Sequence, residues 1–329
     1  MKVLAGDIGG TNARFAIIEG DKILFEKHYP SRDFNKFEDV FAVFVEDAPE
    51  PVPSRACMAV AGVVEGNRVE ATNIPWTIDG NDLKKRFGLE TIHLVNDFEA
   101  AAWGITVLHR EHLVQIGEGK PVSDGPKALL GAGTGLGQAI LVPCNEGYRV
   151  LPTEGGHADF APRNEVEIRL LRYLMKEFPH VSVERILSGP GLVHIYEFLL
   201  EERGSREGIF FKQSVHEKDR AAHITRHAVQ GTDELCQQAV GMFCSIYGAE
   251  AGNLALKCLA AGGVYVAGGI APKILSILGE GGFRQAFESK GRMEKVLKCI
   301  PTYVVISPQL GLLGAALMSR QCHRRQGLY

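Results

Sequence analysis

The segment 3-VLAGDIGGTNARFAII-18 carries an apolar run into a turn built on Gly9 and Gly10 and an apolar run out of it. Short apolar runs on either side of a glycine turn predict strand, turn, strand. Residues 128–142, ALLGAGTGLGQAILV, repeat the plan. Laying Gly10-Thr11 on Gly133-Thr134 also lays Ala16-Ile17 on Ala139-Ile140. Two such units far apart in one chain predict two related domains. At 329 residues the chain also exceeds what one ordinary hydrophobic core holds.

Outward from these turns the pattern alternates. Residues 35–47 have helical period, with Phe37, Val40, Phe41 and Phe44 on one face. Strands are expected at 56–61, 91–95, 263–267 and 302–306. Helices are expected at 98–109, 164–178, 190–203, 232–258, 283–296 and 310–323. This alternation is an α/β pattern. A boundary falls near Glu111, ahead of the second glycine unit.

Neither glycine turn is a standard phosphate motif. GxxxxGK(S/T) is absent, and Leu136 stands where the third glycine of GxGxxG would fall. A glycine hairpin nevertheless suits phosphate, because bare N–H groups can approach its oxygens closely. Thr11 and Asn12 add donors, and Asp7 at the strand end suits Mg²⁺ held through water. A single such turn reads equally well as a plain hairpin. Two matched turns favour a nucleotide, which needs a clamp from each domain.

Residues 94–100, LVNDFEA, put Asn96-Asp97 at the end of an apolar strand, where open α/β sheets hold ligands. A carboxylate there can accept the proton of an attacking hydroxyl; alternatively, Asp97 caps the helix that follows. In 153–162, TEGGHADFAP, Glu154 and His157 surround two glycines in a shaped loop suited to hydroxyl groups. A metal on His157 and Asp159 competes, without a third ligand at suitable spacing. Glu184 precedes the Gly189-Pro190-Gly191 break and reads as a helix-start partner. Gly268-Gly269 ends the strand 263–267 and could admit adenine or ribose against backbone.

The bulk properties narrow the class. A net charge of −3 disfavours a nucleic-acid surface. Cys57, Cys144, Cys236, Cys244, Cys258, Cys299 and Cys322 are scattered without a CxxC pair, as expected for reduced thiols in the cytoplasm. The first apolar run is broken at Asp7, so no secretory leader is expected. No apolar stretch reaches the ~18 residues of a membrane span.

Taken in order, GDIGGTNAR, LVNDFEA, GAGTGLG, EGGH, VERILSGPG, GNLAL, AGGI and GFRQAFESKGR resemble segments of the bacterial ATP-dependent glucokinases of the actin/hexokinase-like ATPase fold. The resemblance spans nearly the whole chain. It implies two ribonuclease H-like α/β domains with a cleft that closes on glucose. The small domain would be 1–110 plus 301–329, and the large one 111–300. Asp97 would be the general base, and Asn96, Glu154, His157 and Glu184 would hold the sugar. Asp7, Gly9, Gly10, Thr11, Asn12, Gly133 and Thr134 would surround the ATP phosphates and Mg²⁺, with Gly268 and Gly269 near the adenosine. A cytoplasmic homodimer without nucleic-acid or membrane partners is implied too.

Two residues depart from the family pattern. Thr153 stands where glycine is common before EGGH, and Gln138 where an apolar residue is usual. The related group with a zinc-binding cysteine cluster matches less well, since ADFAPRNEVE after His157 holds no cysteine. A kinase for mannose, fructose or an N-acetylhexosamine is the enzymatic alternative. A non-catalytic sugar-sensing regulator is disfavoured: the first turn begins at Gly6, which leaves no space for a DNA-binding module ahead of it.

Overall fold

The computed structural model describes all residues except 50, 73, 146, 205–219 and 327–329, and describes 321–326 by backbone alone. The chain divides into two compact units, Met1–Arg110 with Ser307–Tyr329, and Glu111–Ile306.

In the first unit β1 (Lys2–Ile8), β2 (Asn12–Glu19) and β3 (Lys22–Pro30) form a meander. It is followed by β4 (Arg55–Val60), a small sheet of β5 (Val64–Glu65), β6 (Arg68–Glu70) and β7 (Thr77–Asp79), and then β8 (Thr91–Asn96). The main sheet has the order β3-β2-β1-β4-β8. β1, β4 and β8 run parallel, so their carboxyl ends share one edge. The first helix α1 (Phe37–Asp47) has little intrinsic drive to form apart from its apolar stripe. It buries Phe37, Phe41 and Phe44 against Phe15, with ring centroids 5.1–5.9 Å apart. After α2 (Gly80–Phe87) and α3 (Asp97–Ile105), the C-terminal helix Leu310–Gln326 returns to pack on β1, β4 and α3.

The second unit carries β9 (Leu113–Ile116), β10 (Lys127–Ala132), β11 (Leu136–Cys144), β12 (Gly147–Thr153), β13 (Gly263–Ala267) and β14 (Thr302–Val305). Its order is β12-β11-β10-β13-β14-β9. The first five of these repeat the arrangement of the first sheet: a three-strand meander with two parallel strands added beyond its first. The glycine turns, however, differ in length. Residues 9–12 lie between the pair Ile8/Ala13, and residues 133–135 between Ala132/Leu136. Ala16 therefore pairs with Ala5, while Ala139 pairs with Leu129. The outgoing strands keep the register that the sequences suggest, and the incoming strand is one residue out of step. A long buried helix, Glu234–Cys258, is the spine of this unit's core.

Two expectations change. The helix expected over 283–296 is broken into Gly282–Glu288, a single 3₁₀ turn at Gly291–Met293, and Glu294–Cys299. Gly291 has φ +54°, a conformation that suits glycine. The Lys290 ammonium just before it turns inward to the Ala249 carbonyl at 2.9 Å and Asn253 Oδ1 at 2.6 Å. The strand expected to return to the small domain stays in the second unit. β14 is hydrogen-bonded between β13 and β9, and the buried Thr302 hydroxyl donates to the Ile116 carbonyl. The chain returns at Ser307, not at residue 301.

Candidate active site

The carboxyl edge of the first sheet gathers the end of β1, the turn after β4 and the end of β8. Gly9 N–H donates to the Asn12 carbonyl at 2.9 Å, closing the first glycine turn. Ser31, fully buried, holds it from beneath. Its N–H donates to the Thr11 carbonyl at 2.9 Å, and its hydroxyl to the Gly9 carbonyl at 2.8 Å. Carbonyls tied down in this way leave Gly9 and Gly10 part-covered and Thr11 and Asn12 exposed. Ser31 has no motif to announce it; only the fold brings it under the turn.

Asp7 pairs with Arg14, whose guanidinium also donates to the Pro308 carbonyl. Burial pushes the Asp7 carboxyl above the usual carboxylate range, and the Arg14 charge pulls it back. A side chain at Gly311 would sit 3.0 Å from that carboxylate, so glycine there leaves its oxygens room. A hard oxygen donor with space beside it fits Mg²⁺ held through water, the metal drawing its other ligands from water and phosphate. Among the described residues no cluster of three His, Cys, Asp or Glu could hold a metal unaided.

At the end of β8 the cap falls to Asn96. Its Oδ1 accepts Phe98 N–H at 2.9 Å and Glu99 N–H at 3.1 Å, and its Nδ2 donates to the Gly62 carbonyl at 3.1 Å. Asp97 is the first helical residue of α3 and also accepts Phe98 N–H, at 2.9 Å. The capping alternative for Asp97 thus gives way to Asn96. After these bonds Asn96 has one amide N–H left to offer a sugar.

In the second unit the remaining sugar candidates are laced together by backbone. Glu154 and His157 flank a 3₁₀ turn over Gly155–His157, their polar atoms 3.8 Å apart. Phe160 N–H donates to the Val181 carbonyl at 3.0 Å and Val183 N–H to the Ala158 carbonyl at 2.9 Å. This short bridge brings His157 and Glu184 to one cavity of about 200 Å³, lined also by Phe178, His180, Ser182 and Arg185. Asp159 pairs with His180 at 2.9 Å, not with His157. Glu184, expected as a helix-start partner, instead accepts Leu136 N–H at 2.8 Å, at the exit of the second glycine turn.

That turn closes on Gly133 N–H to the Gly135 carbonyl at 2.8 Å, leaving Thr134 exposed. Gly268, at φ +84°, lies where a Cβ would come within 2.4 Å of the Ala132 carbonyl, so β13 ends tightly against β10. Gly269 borders open space. The two departures from the family pattern touch each other: the Thr153 hydroxyl donates to the Gln138 carbonyl at 3.2 Å and accepts Gly155 N–H at 3.2 Å. Gln138 Nε2 reaches the buried Glu250 carboxylate at 2.9 Å.

Comparison with known proteins follows the same lines. The family model described as Glucokinase matches residues 4–322. A glucokinase of Nostoc punctiforme is 42% identical over 96% of this chain and 98% of its own. The crystal structure of a glucokinase from an Antarctic psychrotroph is 34% identical, covers 97% of this chain and 99% of its own, and superposes with a TM-score of 0.84. A ROK family glucokinase from Streptomyces griseus, solved with glucose and AMPPNP, shares the fold at a TM-score of 0.69 and 20% identity, over 98% of this chain and 100% of its own. With the model spanning nearly the whole chain and relatives above 40% identity, the chain belongs to the glucokinase family and is an ATP-dependent hexose kinase, a phosphotransferase.

Proposed function

We propose that the chain transfers the γ-phosphate of ATP to the 6-hydroxyl of glucose, giving glucose 6-phosphate and ADP. The observation that carries the proposal is at the end of β8: Asn96 caps α3 at the sheet edge where β1 runs into the first glycine turn, and in this reading the adjacent Asp97 is the base. The S. griseus enzyme's complex with glucose and AMPPNP supports the choice of ligands.

In this reading the 6-hydroxyl gives its proton to an Asp97 oxygen as the bond from O6 to the γ-phosphorus forms. The bond from that phosphorus to the β–γ bridging oxygen breaks, and ADP leaves with the electron pair. The Asn96 amide, Glu154, His157 and Glu184 hold the hydroxyls, which keeps O6 near in-line attack. Gly9 and Gly133 close the two turns, the Gly10 N–H and the Thr11, Asn12 and Thr134 side chains meet the phosphates, and Gly268-Gly269 lies against the adenosine. Mg²⁺, when bound, neutralises charge on the phosphate oxygens, and Asp7 would hold it through water.

We also infer a cytoplasmic setting, in keeping with cysteines scattered along the chain without a CxxC pair, and a homodimer, which the family resemblance implies. No described helix is long and apolar enough to cross a membrane. The bonded pair of departures at Thr153 and Gln138 lies beside the Glu154 loop, which favours a kinase of another hexose as the second reading. Asp97→Asn is the test of the chemistry. Turnover should fall by about 10²-fold or more while calorimetry still records glucose binding; a variant turning over at near the parent rate contradicts the assignment.

A further inference from the structure

Glu184 is assigned to the sugar, yet its hydrogen bond in the structure goes to the nucleotide side of the second unit. Oε2 accepts Leu136 N–H at 2.8 Å, while Oε1 has no hydrogen-bond partner among the described residues. A second tie runs beside it, from Gly189 N–H to the Gly133 carbonyl at 2.8 Å. Between the two, the Ser188 hydroxyl donates to the Glu184 carbonyl at 2.8 Å, and Ser188 caps the helix Gly189–Glu202 through Gly191 N–H. The segment 184–189 and the turn 133–136 are thus laced at both ends. Gly135 makes this possible. A Cβ there would lie 2.5 Å from Glu184 Oε2 and 3.2 Å from its Cδ. Its φ lies outside the left-handed region, so only the carboxylate excludes a side chain.

We propose that Glu184 is a positioning residue for the second phosphate turn as well as a sugar ligand, and that this one carboxylate couples glucose occupancy to nucleotide affinity. A sugar hydroxyl donating to Oε1 fixes the rotamer that presents Oε2 to Leu136 N–H. Fixing that N–H holds the turn whose Thr134 meets the phosphates. Coupling of this kind is reciprocal, so a bound nucleotide tightens glucose by the same factor. The inference rests on the sugar-kinase reading, and it adds a path by which the two substrates sense each other within one unit.

The discriminating variant is Gly135→Ala. Because the clash is with the mobile end of a side chain, Glu184 can swing away and the fold is kept, while its bond to Leu136 is lost. Calorimetry on the full chain would measure glucose without nucleotide, then a non-hydrolysable ATP analogue with Mg²⁺, with and without saturating glucose. In the parent protein glucose should tighten the analogue by roughly 5-fold or more. In Gly135→Ala that factor should fall towards 1 and glucose binding should weaken roughly 5-fold, while the variant still unfolds in one cooperative transition. Gly241→Ala, on the helix Glu234–Cys258 and facing open space, should leave glucose affinity and coupling unaltered. Parent-like glucose affinity and coupling in Gly135→Ala would overturn the inference and leave the kinase reading standing. A parent protein that binds no glucose would remove both.

Discussion

The Tyr247 hydroxyl accepts Ala132 N–H at 3.0 Å and donates to the Ala267 carbonyl at 3.4 Å. It ties the carboxyl ends of β10 and β13 together, next to Gly133 and Gly268. Complete burial pushes the phenol far above its ordinary pKa, so it remains a donor throughout the accessible pH range. Tyr247→Phe keeps the ring and strands the Ala132 amide. We expect a loss of about 1–3 kcal/mol, read by denaturant unfolding, and weaker nucleotide binding; a change within 0.3 kcal/mol, roughly the error of such a measurement, would remove this role. No sequence signal marks Tyr247, which sits on a helical face among Phe243, Ile246 and other apolar side chains. Asp7, Gly9 and Gly133 stood out in the sequence only because two matched glycine turns recur in one chain; each turn alone reads equally well as a plain hairpin. Between Asn96 and Asp97 the sequence offers two residues able to cap one helix, and only the observed bonds assign the task to Asn96.

At the scale of elements, two crossings decide where the site residues stand. α3 carries Asp97 on its first turn and crosses the C-terminal helix at glycines. A Cβ at Gly314 would meet the Ala100 carbonyl at 1.7 Å, and one at Gly104 the Leu310 carbonyl at 2.4 Å. These obstacles are backbone, so the helices must part to admit a methyl group. Gly314→Ala should therefore cost about 1–3 kcal/mol and lower turnover by shifting α3. Gly279→Ala, which borders open space, serves as the control and should change stability by less than about 0.5 kcal/mol. Parent-like stability and turnover in Gly314→Ala would contradict this packing account. Strands with short apolar runs were readable, as were the amphipathic α1 and the long helix Glu234–Cys258. The third meander strands were not: β3 buries only Tyr29 and β12 only Val150. The break at Gly291 was hidden as well, because it depends on Lys290 reaching a helix 37 and 41 residues earlier in the chain.

At the scale of the molecule, each unit presents the parallel ends of one sheet, and each of those ends carries a glycine turn braced from below, by Ser31 in one and by Tyr247 in the other. The duplication was visible in the turns, but its true register was not, since one turn is a residue longer. The assignment of β14 to the second unit could not be read from local sequence, because both of its pairings are distant in the chain. Chemistry on a hexose follows from family membership, whereas glucose and its 6-hydroxyl are the account's central claim. The most direct test is product formation by the purified chain with Mg-ATP against glucose, mannose, fructose and N-acetylglucosamine side by side. The account predicts glucose 6-phosphate as product and the highest kcat/KM with glucose; no turnover at millimolar glucose, or a higher kcat/KM with another hexose, would contradict it.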